Sequence, residues 1–304
     1  MAQQQTLTTA LPQFVSTYHH DVYPSIDSSS SLANAAASFK GVLVTGSGRG
    51  IGRATAVAFA RAGAKKVVLT SLEKAELEEV KAEIDQLGKG TEVRTIEVDL
   101  TKEENIDRLF EEAGELDVLV NNAGYLEPLV SIRESNSVDW IRTQQINTIG
   151  TYLVTRAFLR QAYANNLVGE GSKLTIINTS SHASADTSPG FSSYQPGKTF
   201  TNRFTEMLHF DEPNVRTFAM APGSILTKLA RDAIPSDSHS MLNDTPELPA
   251  HFSLWLATDD RTDFLRGRYV LANWDVEELL AKKEEILEKN LLWTRVVGQE
   301  QIMK

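Results

Sequence analysis

The chain of 304 residues contains no cysteine. That absence excludes a disulfide framework, a thiolate nucleophile, an iron–sulfur cluster and a thiol zinc site, and it suits a reducing compartment. Positive charge is scarce: 30 Lys and Arg stand against 40 Asp and Glu, a net charge of −10. Such a surface repels phosphate backbones, so no nucleic-acid partner is expected. No apolar run approaches the roughly 20 residues of a membrane span, so no membrane role is expected either. No Lys or Arg precedes Lys40. Neither a secretory leader nor a mitochondrial presequence is therefore expected. The end, Gln301-Ile302-Met303-Lys304, is not a peroxisomal tripeptide, which leaves a cytoplasmic location as the default. The histidines lack ligand spacing, and no metal is expected. What is there is ordinary globular material, 41% hydrophobic and 23% charged, enough for a core that folds without staples.

Residues 1–40 differ from the rest. They are rich in Gln, Ser and Thr, with an aromatic stretch Tyr18-His19-His20-Asp21-Val22-Tyr23-Pro24 and a serine run at 28–31. They read as an extension, either pinned across the body by its aromatics or left as a mobile tail. From 41 to 304 short apolar runs alternate with longer helical patterns. Strands are expected at Val42-Leu43-Val44, 66–70, 92–98, 117–120, 173–178, 215–220 and 268–271. Helices are expected at 50–62, 73–87, 102–112, 136–165 (one or two), 196–209 and 275–289. The strands are uniformly apolar, which indicates a parallel sheet covered on both faces. The fold class that follows is α/β: a doubly wound parallel sheet of the Rossmann type, three layers, one domain. Ligands in that architecture sit at the carboxyl ends of the strands.

After the first strand comes Thr45-Gly46-Ser47-Gly48-Arg49-Gly50-Ile51-Gly52. Glycines that follow a strand and open a helix let backbone approach a pyrophosphate, and the helix N-terminus supplies N–H groups. The second strand ends Thr70-Ser71-Leu72, with no acid to hold a ribose 2′-hydroxyl. With Arg49 in the loop and Arg53 one turn on, this favours NADP over NAD. The alternative is that both arginines are surface charges. Asp99-Leu100 follows the third strand, Asn121-Asn122-Ala123-Gly124 the fourth, and Asn178-Thr179-Ser180-Ser181-His182 the fifth. Tyr194 and Lys198 lie four apart, on one helical face. A positive charge about 5 Å from the phenol is expected to favour phenolate by roughly 2 pKa units. Ser181 is placed to hold a reacting oxygen. Pro196, in the first turn, is expected to leave Tyr194 at or just before the helix start.

In combination these motifs resemble the short-chain dehydrogenase/reductase family in its single-domain form, over roughly residues 40–275. The extension resembles that of many filamentous-fungal members. The resemblance implies Tyr194 as general acid for carbonyl reduction and base for the reverse. It implies Lys198 on the nicotinamide ribose and Ser181 orienting the reacting oxygen. Asn147 matches the family asparagine that holds a water linking Lys198 to solvent. Implied cofactor contacts are Gly46, Ser47, Arg49, Gly50, Ile51, Gly52, Ser71, Asp99, Leu100, Asn122, Ala123, Gly124, Tyr194, Lys198, Pro222, Gly223 and Thr227. Gly197 replaces a common serine, which is expected to loosen Lys198. Members usually pair through helices near 149–165 and 197–210, so a homodimer or homotetramer is expected.

The expected substrate is a moderately apolar ketone or secondary alcohol, under a mobile lid at about 224–250. His182 reads more readily as a solvated loop histidine than as a substrate contact. Two rival readings stay open. One is a dehydratase, epimerase or cyclase on the same fold, and the other a non-catalytic NADP(H) sensor.

Overall fold

The computed structural model describes residues 14–296. Residues 1–13 of the extension, and the terminal tripeptide, lie outside the described residues. Among those described, seven strands form one sheet: β1 (Val42–Thr45), β2 (Lys66–Ser71), β3 (Glu92–Glu97), β4 (Val118–Asn121), β5 (Thr175–Thr179), β6 (Arg216–Ala221) and β7 (Tyr269–Leu271). Their order is β3-β2-β1-β4-β5-β6-β7. Every neighbouring pair is parallel. The order reverses between β1 and β4, which opens a crevice at their carboxyl ends.

Alternate residues of the strands feed two cores. Val42, Val44, Val67 and Leu69 face one side, with Phe59 and Trp255. Leu43, Val68, Leu119 and Ile176 face the other, with Leu109 and Phe158. The helices behind these cores are α1 (Gly50–Arg61), α2 (Lys74–Gln86), α3 (Glu103–Ala113), α4 (Ser137–Gln144), α5 (Thr151–Ala164) and α6 (Tyr194–Asp211). After β6 come α7 (Lys228–Ala233), α8 (Glu247–Thr258), α9 (Val276–Ala281) and α10 (Lys283–Glu288). The expected helix over 136–165 is α4 and α5 joined by a π-turn, Gln145–Gly150. The expected helix over 275–289 is two short ones.

Helix α8 has no counterpart in the sequence pattern. Residues 248–257 are all buried, so no polar face marks a 3.6-residue period. It also takes residues 247–250 out of the segment expected to be a lid.

The described part of the extension, 14–40, packs onto the body rather than trailing from it. Val15, Tyr23, Ile26 and Phe39 are buried in the first core. Burying one side chain such as Ile26 stabilises by about 2 kcal/mol, so a handful fixes the segment. Tyr18 bridges to Trp274, beside the carboxyl end of β7.

Candidate active site

The glycines after β1 work through close approach. Gly46 has φ +64°, and a Cβ there would meet Ala123 Cα at 2.8 Å. A Cβ on Gly52 would lie 2.5 Å from Asn122 Nδ2 and nearer still to the Gly46 carbonyl. The space it leaves lets that amide donate to the Thr45 and Gly46 carbonyls (2.9 and 3.2 Å). Thr45 Oγ1 accepts from the N–H groups of Asn122 and Ala123 at 3.0 Å each. The loops after β1 and β4 are thereby one unit, and Thr45, not anticipated from sequence, is its pin. Ser47 is buried and exchanges hydrogen bonds with Thr70 of β2. Helix α1 begins without a side-chain cap, and its first residues, Gly50 and Ile51, line a cleft of about 1120 Å³. Free N–H groups at a helix start suit a phosphate.

At the outer rim of this cleft lies Arg49, whereas Arg53 does not line it, and both arginines have acidic partners. Arg49 pairs with Glu76 of α2, and Arg53 with Glu83 at 2.7 Å. The Arg49 side chain is 53% exposed, so it can turn towards another anion at small cost. Ser71 and Asp99 also line the cleft. Burial pushes the Asp99 carboxyl up, but two hydrogen bonds from Thr101 together with the charges of Lys102 and Arg142 bring it below its ordinary value.

Helix α6 starts at Tyr194, as the placement of Pro196 requires. Lys198 Nζ lies 5.5 Å from the Tyr194 ring centre and donates to the Thr179 carbonyl at 2.7 Å. That bond ties Lys198 to the end of β5, so Gly197 does not leave it loose. Ser180 donates to Asn202 Oδ1, and Asn202 donates to Ser184 (2.5 and 2.9 Å). This clamp flanks Ser181, and Asn202 was not legible beforehand because it is one polar residue among several on α6. Asn147 sits in the π-turn, and its amide bonds both the N–H and the C=O of Tyr125 at 2.8 Å.

The electrostatic expectation for this group needs correction. Burial pushes the Tyr194 phenol up to about 12, and a hydrogen bond with Ser181 draws it down only in part. Burial takes Lys198 down to about 8. Desolvation disfavours the charged form of each group, which raises the phenol and lowers the ammonium. At neutral pH the phenol is therefore protonated and the amine still largely charged.

Beyond β6 the chain runs Pro222-Gly223-Ser224, with Gly223 at φ +99°. Thr227 caps α7 by accepting from the Ala230 N–H. The wall then turns apolar with Ile225, Leu226, Leu229 and Met241. His182 is not a solvated loop residue: Nδ1 is buried without a partner. Burial pulls its imidazole below the ordinary value, so a neutral ring faces the cleft.

Of the expected site residues, Gly46, Arg49, Gly50, Ile51, Ser71, Asp99, Leu100, Asn122, Ala123 and Gly124 line this one cleft, as do Ser181, Tyr194, Lys198, Pro222, Gly223 and Thr227. Ser47, Gly52 and Asn147 stand behind its wall. No cluster of potential metal ligands occurs among the described residues. No described helix is long and apolar enough to cross a membrane.

Residues 40–237 match the family model of the short chain dehydrogenase. A short chain dehydrogenase of Monascus purpureus is 38% identical over 293 residues, covering 93% of this chain and 96% of its own. Among solved structures, a short chain dehydrogenase from Shigella flexneri complexed with NADP superposes with a TM-score of 0.68 at 27% identity, covering 77% of this chain and 96% of its own. A 3-ketoacyl-(acyl-carrier-protein) reductase from Brucella melitensis complexed with NADH gives 0.68 at 27%, covering 76% and 96%.

Proposed function

The chain belongs to the short-chain dehydrogenase/reductase family and is an oxidoreductase; from that premise we propose that it reduces the carbonyl of a moderately apolar small molecule with NADPH. The observation that carries the proposal is the set of half-buried Ser181 and Tyr194 with buried Lys198, all lining the glycine-lined cleft.

The cleft fits a dinucleotide. Gly46 and Gly52 leave no room for a side chain, and the uncapped start of α1 offers N–H groups to a pyrophosphate. A nicotinamide bound there supplies a hydride to the carbonyl carbon. Tyr194 donates its proton to the carbonyl oxygen, which leaves an alcohol. A phenol held near 12 carries that proton across the neutral range, as a general acid must. Ser181 holds the same oxygen, and Lys198 holds the nicotinamide ribose and returns a proton to the phenolate. Asn147, fixed by Tyr125, is proposed to hold the water through which Lys198 is reprotonated. A sensor gives no role to an acid poised in this way, and a lyase or isomerase on this fold is told apart by tight NADP(H) binding without net oxidation.

For the nucleotide, Arg49 and Ser71 are proposed as the 2′-phosphate contacts, with Arg49 leaving Glu76 on binding. The Shigella flexneri neighbour holds NADP and the Brucella melitensis one NADH, so the choice rests on this rim. A face of Tyr152, Phe200 and Phe204 on α5 and α6 is proposed to pair two copies. Residues 224–246 are proposed as the substrate lid, and the cytoplasm as the location.

Nicotinamide fluorescence with NADPH and NADH, followed by a ketone and alcohol panel, tests the reading. Tighter binding of NADPH and ketone reduction that Tyr194→Phe abolishes are expected. Preference for NADH removes the phosphate contacts, and full turnover by the Phe variant removes Tyr194 from the chemistry.

A further inference from the structure

The extension touches the site through two side chains that wall in Gly223. At that position (φ +99°) a Cβ would lie 2.8 Å from Asn273 Oδ1 and nearer still to Asp244 Oδ2. The loop after β6 is therefore moulded against one carboxylate and one amide. Each of these is held by one of two successive residues of the extension. Asn273 Nδ2 donates to the His19 carbonyl at 2.8 Å, and the His19 N–H donates back to the Asn273 carbonyl at 2.8 Å. Asp244 receives His20 Nδ1 on Oδ1 and the Ser224 N–H on Oδ2, both at 2.5 Å.

We propose that residues 18–23 form a strap that sets the nicotinamide-side loop, with His20 as a positioning residue acting through Asp244. The Asp244 side chain is only 2% exposed, so its oxygens rely on the few donors that reach them. His20 is 55% exposed and does not line the cleft. Its influence passes through the carboxylate and on to Ser224. The strap is itself anchored on both sides. The Thr245 N–H donates to the His20 carbonyl (2.9 Å) and its hydroxyl to Asp21 (2.7 Å). His19 reaches Asp275 at 2.9 Å and stacks on Tyr23, with ring centres 3.5 Å apart. Tyr23 in turn donates to the Trp274 carbonyl (3.1 Å) and accepts from the Val276 N–H (3.0 Å). Without His20, Asp244 keeps the Ser224 bond but has one buried oxygen without that donor, and the loop is free to follow it outward.

This inference rests on the proposal that 222–224 border the nicotinamide. The test compares full-length wild type, His20→Ala, His20→Asn and Tyr194→Phe by NADPH titration, steady-state kinetics and thermal melting. An asparagine amide stands close to where Nδ1 stands. His20→Ala is expected to raise the Kd and KM for NADPH about tenfold, the effect of one hydrogen bond to a charged group. It is expected to keep kcat within about twofold and to melt near wild type, and His20→Asn to restore the affinity. Wild-type affinity in His20→Ala overturns the strap. So does a joint loss of melting temperature, kcat and affinity that His20→Asn does not rescue. Turnover surviving in Tyr194→Phe instead sinks the catalytic reading, and the NADPH affinities of the two His20 variants still decide the strap.

Discussion

The cleft has two charged neighbourhoods of opposite physical character. At the catalytic end burial raises the Tyr194 phenol to about 12 and lowers the Lys198 ammonium to about 8. At the rim Arg49 and Arg53 meet glutamates in solvent, with side chains 53% and 41% exposed. The two ends thus do different work. Desolvation keeps the phenol protonated and brings the ammonium's titration towards neutral pH, while solvent keeps the arginine pairs exchangeable.

The largest expected effect lies at the buried end. Tyr194→Phe removes the proton donor without removing bulk, and kcat for reduction is expected to fall about 10³-fold, with NADPH affinity in titration unchanged.

Next comes a test of desolvation itself. The folded value for Lys198 lies below its unfolded one, so the unfolded chain binds the extra proton between about pH 8 and 10.5. Stability is therefore penalised below pH 8 and regained as pH rises through that window. Lys198→Met is expected to abolish this rise, and the difference between the two melting curves against pH measures it. A shift of this size corresponds to a few kcal/mol at most. Above pH 10 the raised phenol of Tyr194 acts in the opposite sense, since it resists ionisation that the unfolded chain permits. Comparing the variants keeps that contribution common to both.

At the rim the effects are smaller. Arg49→Ala is expected to weaken NADPH binding about tenfold and to leave NADH untouched, with the difference shrinking in high salt. Smallest is Arg53→Ala. Its pairs with Glu83 and Glu79 are exposed, and unfolding by denaturant is expected to shift by less than about 0.5 kcal/mol.

The same contrast explains what the sequence could reveal. The doubly wound sheet was legible because apolar runs of strand length recur along the chain, with the edge strand β3 marked by alternation instead, and the glycine loop and the Tyr194–Lys198 spacing are local. The direction of the Tyr194 shift was not legible, since burial is decided by residues far away, such as the loop carrying Ser181. Helix α8 escaped because it is buried on every face and shows no amphipathic period. The two arginines were visible, but their partners sit on α2, some 27 to 30 positions on. His20 and Asp244 are 224 positions apart, and nothing in either local pattern joins them.

That last separation has a consequence for biogenesis. The segment around Tyr23 and Ile26 precedes its docking partners, from Asp244 to Glu278, by 224 to 262 positions. During synthesis its apolar side chains must wait for that distant face, and contacts of such long sequence separation close late in folding.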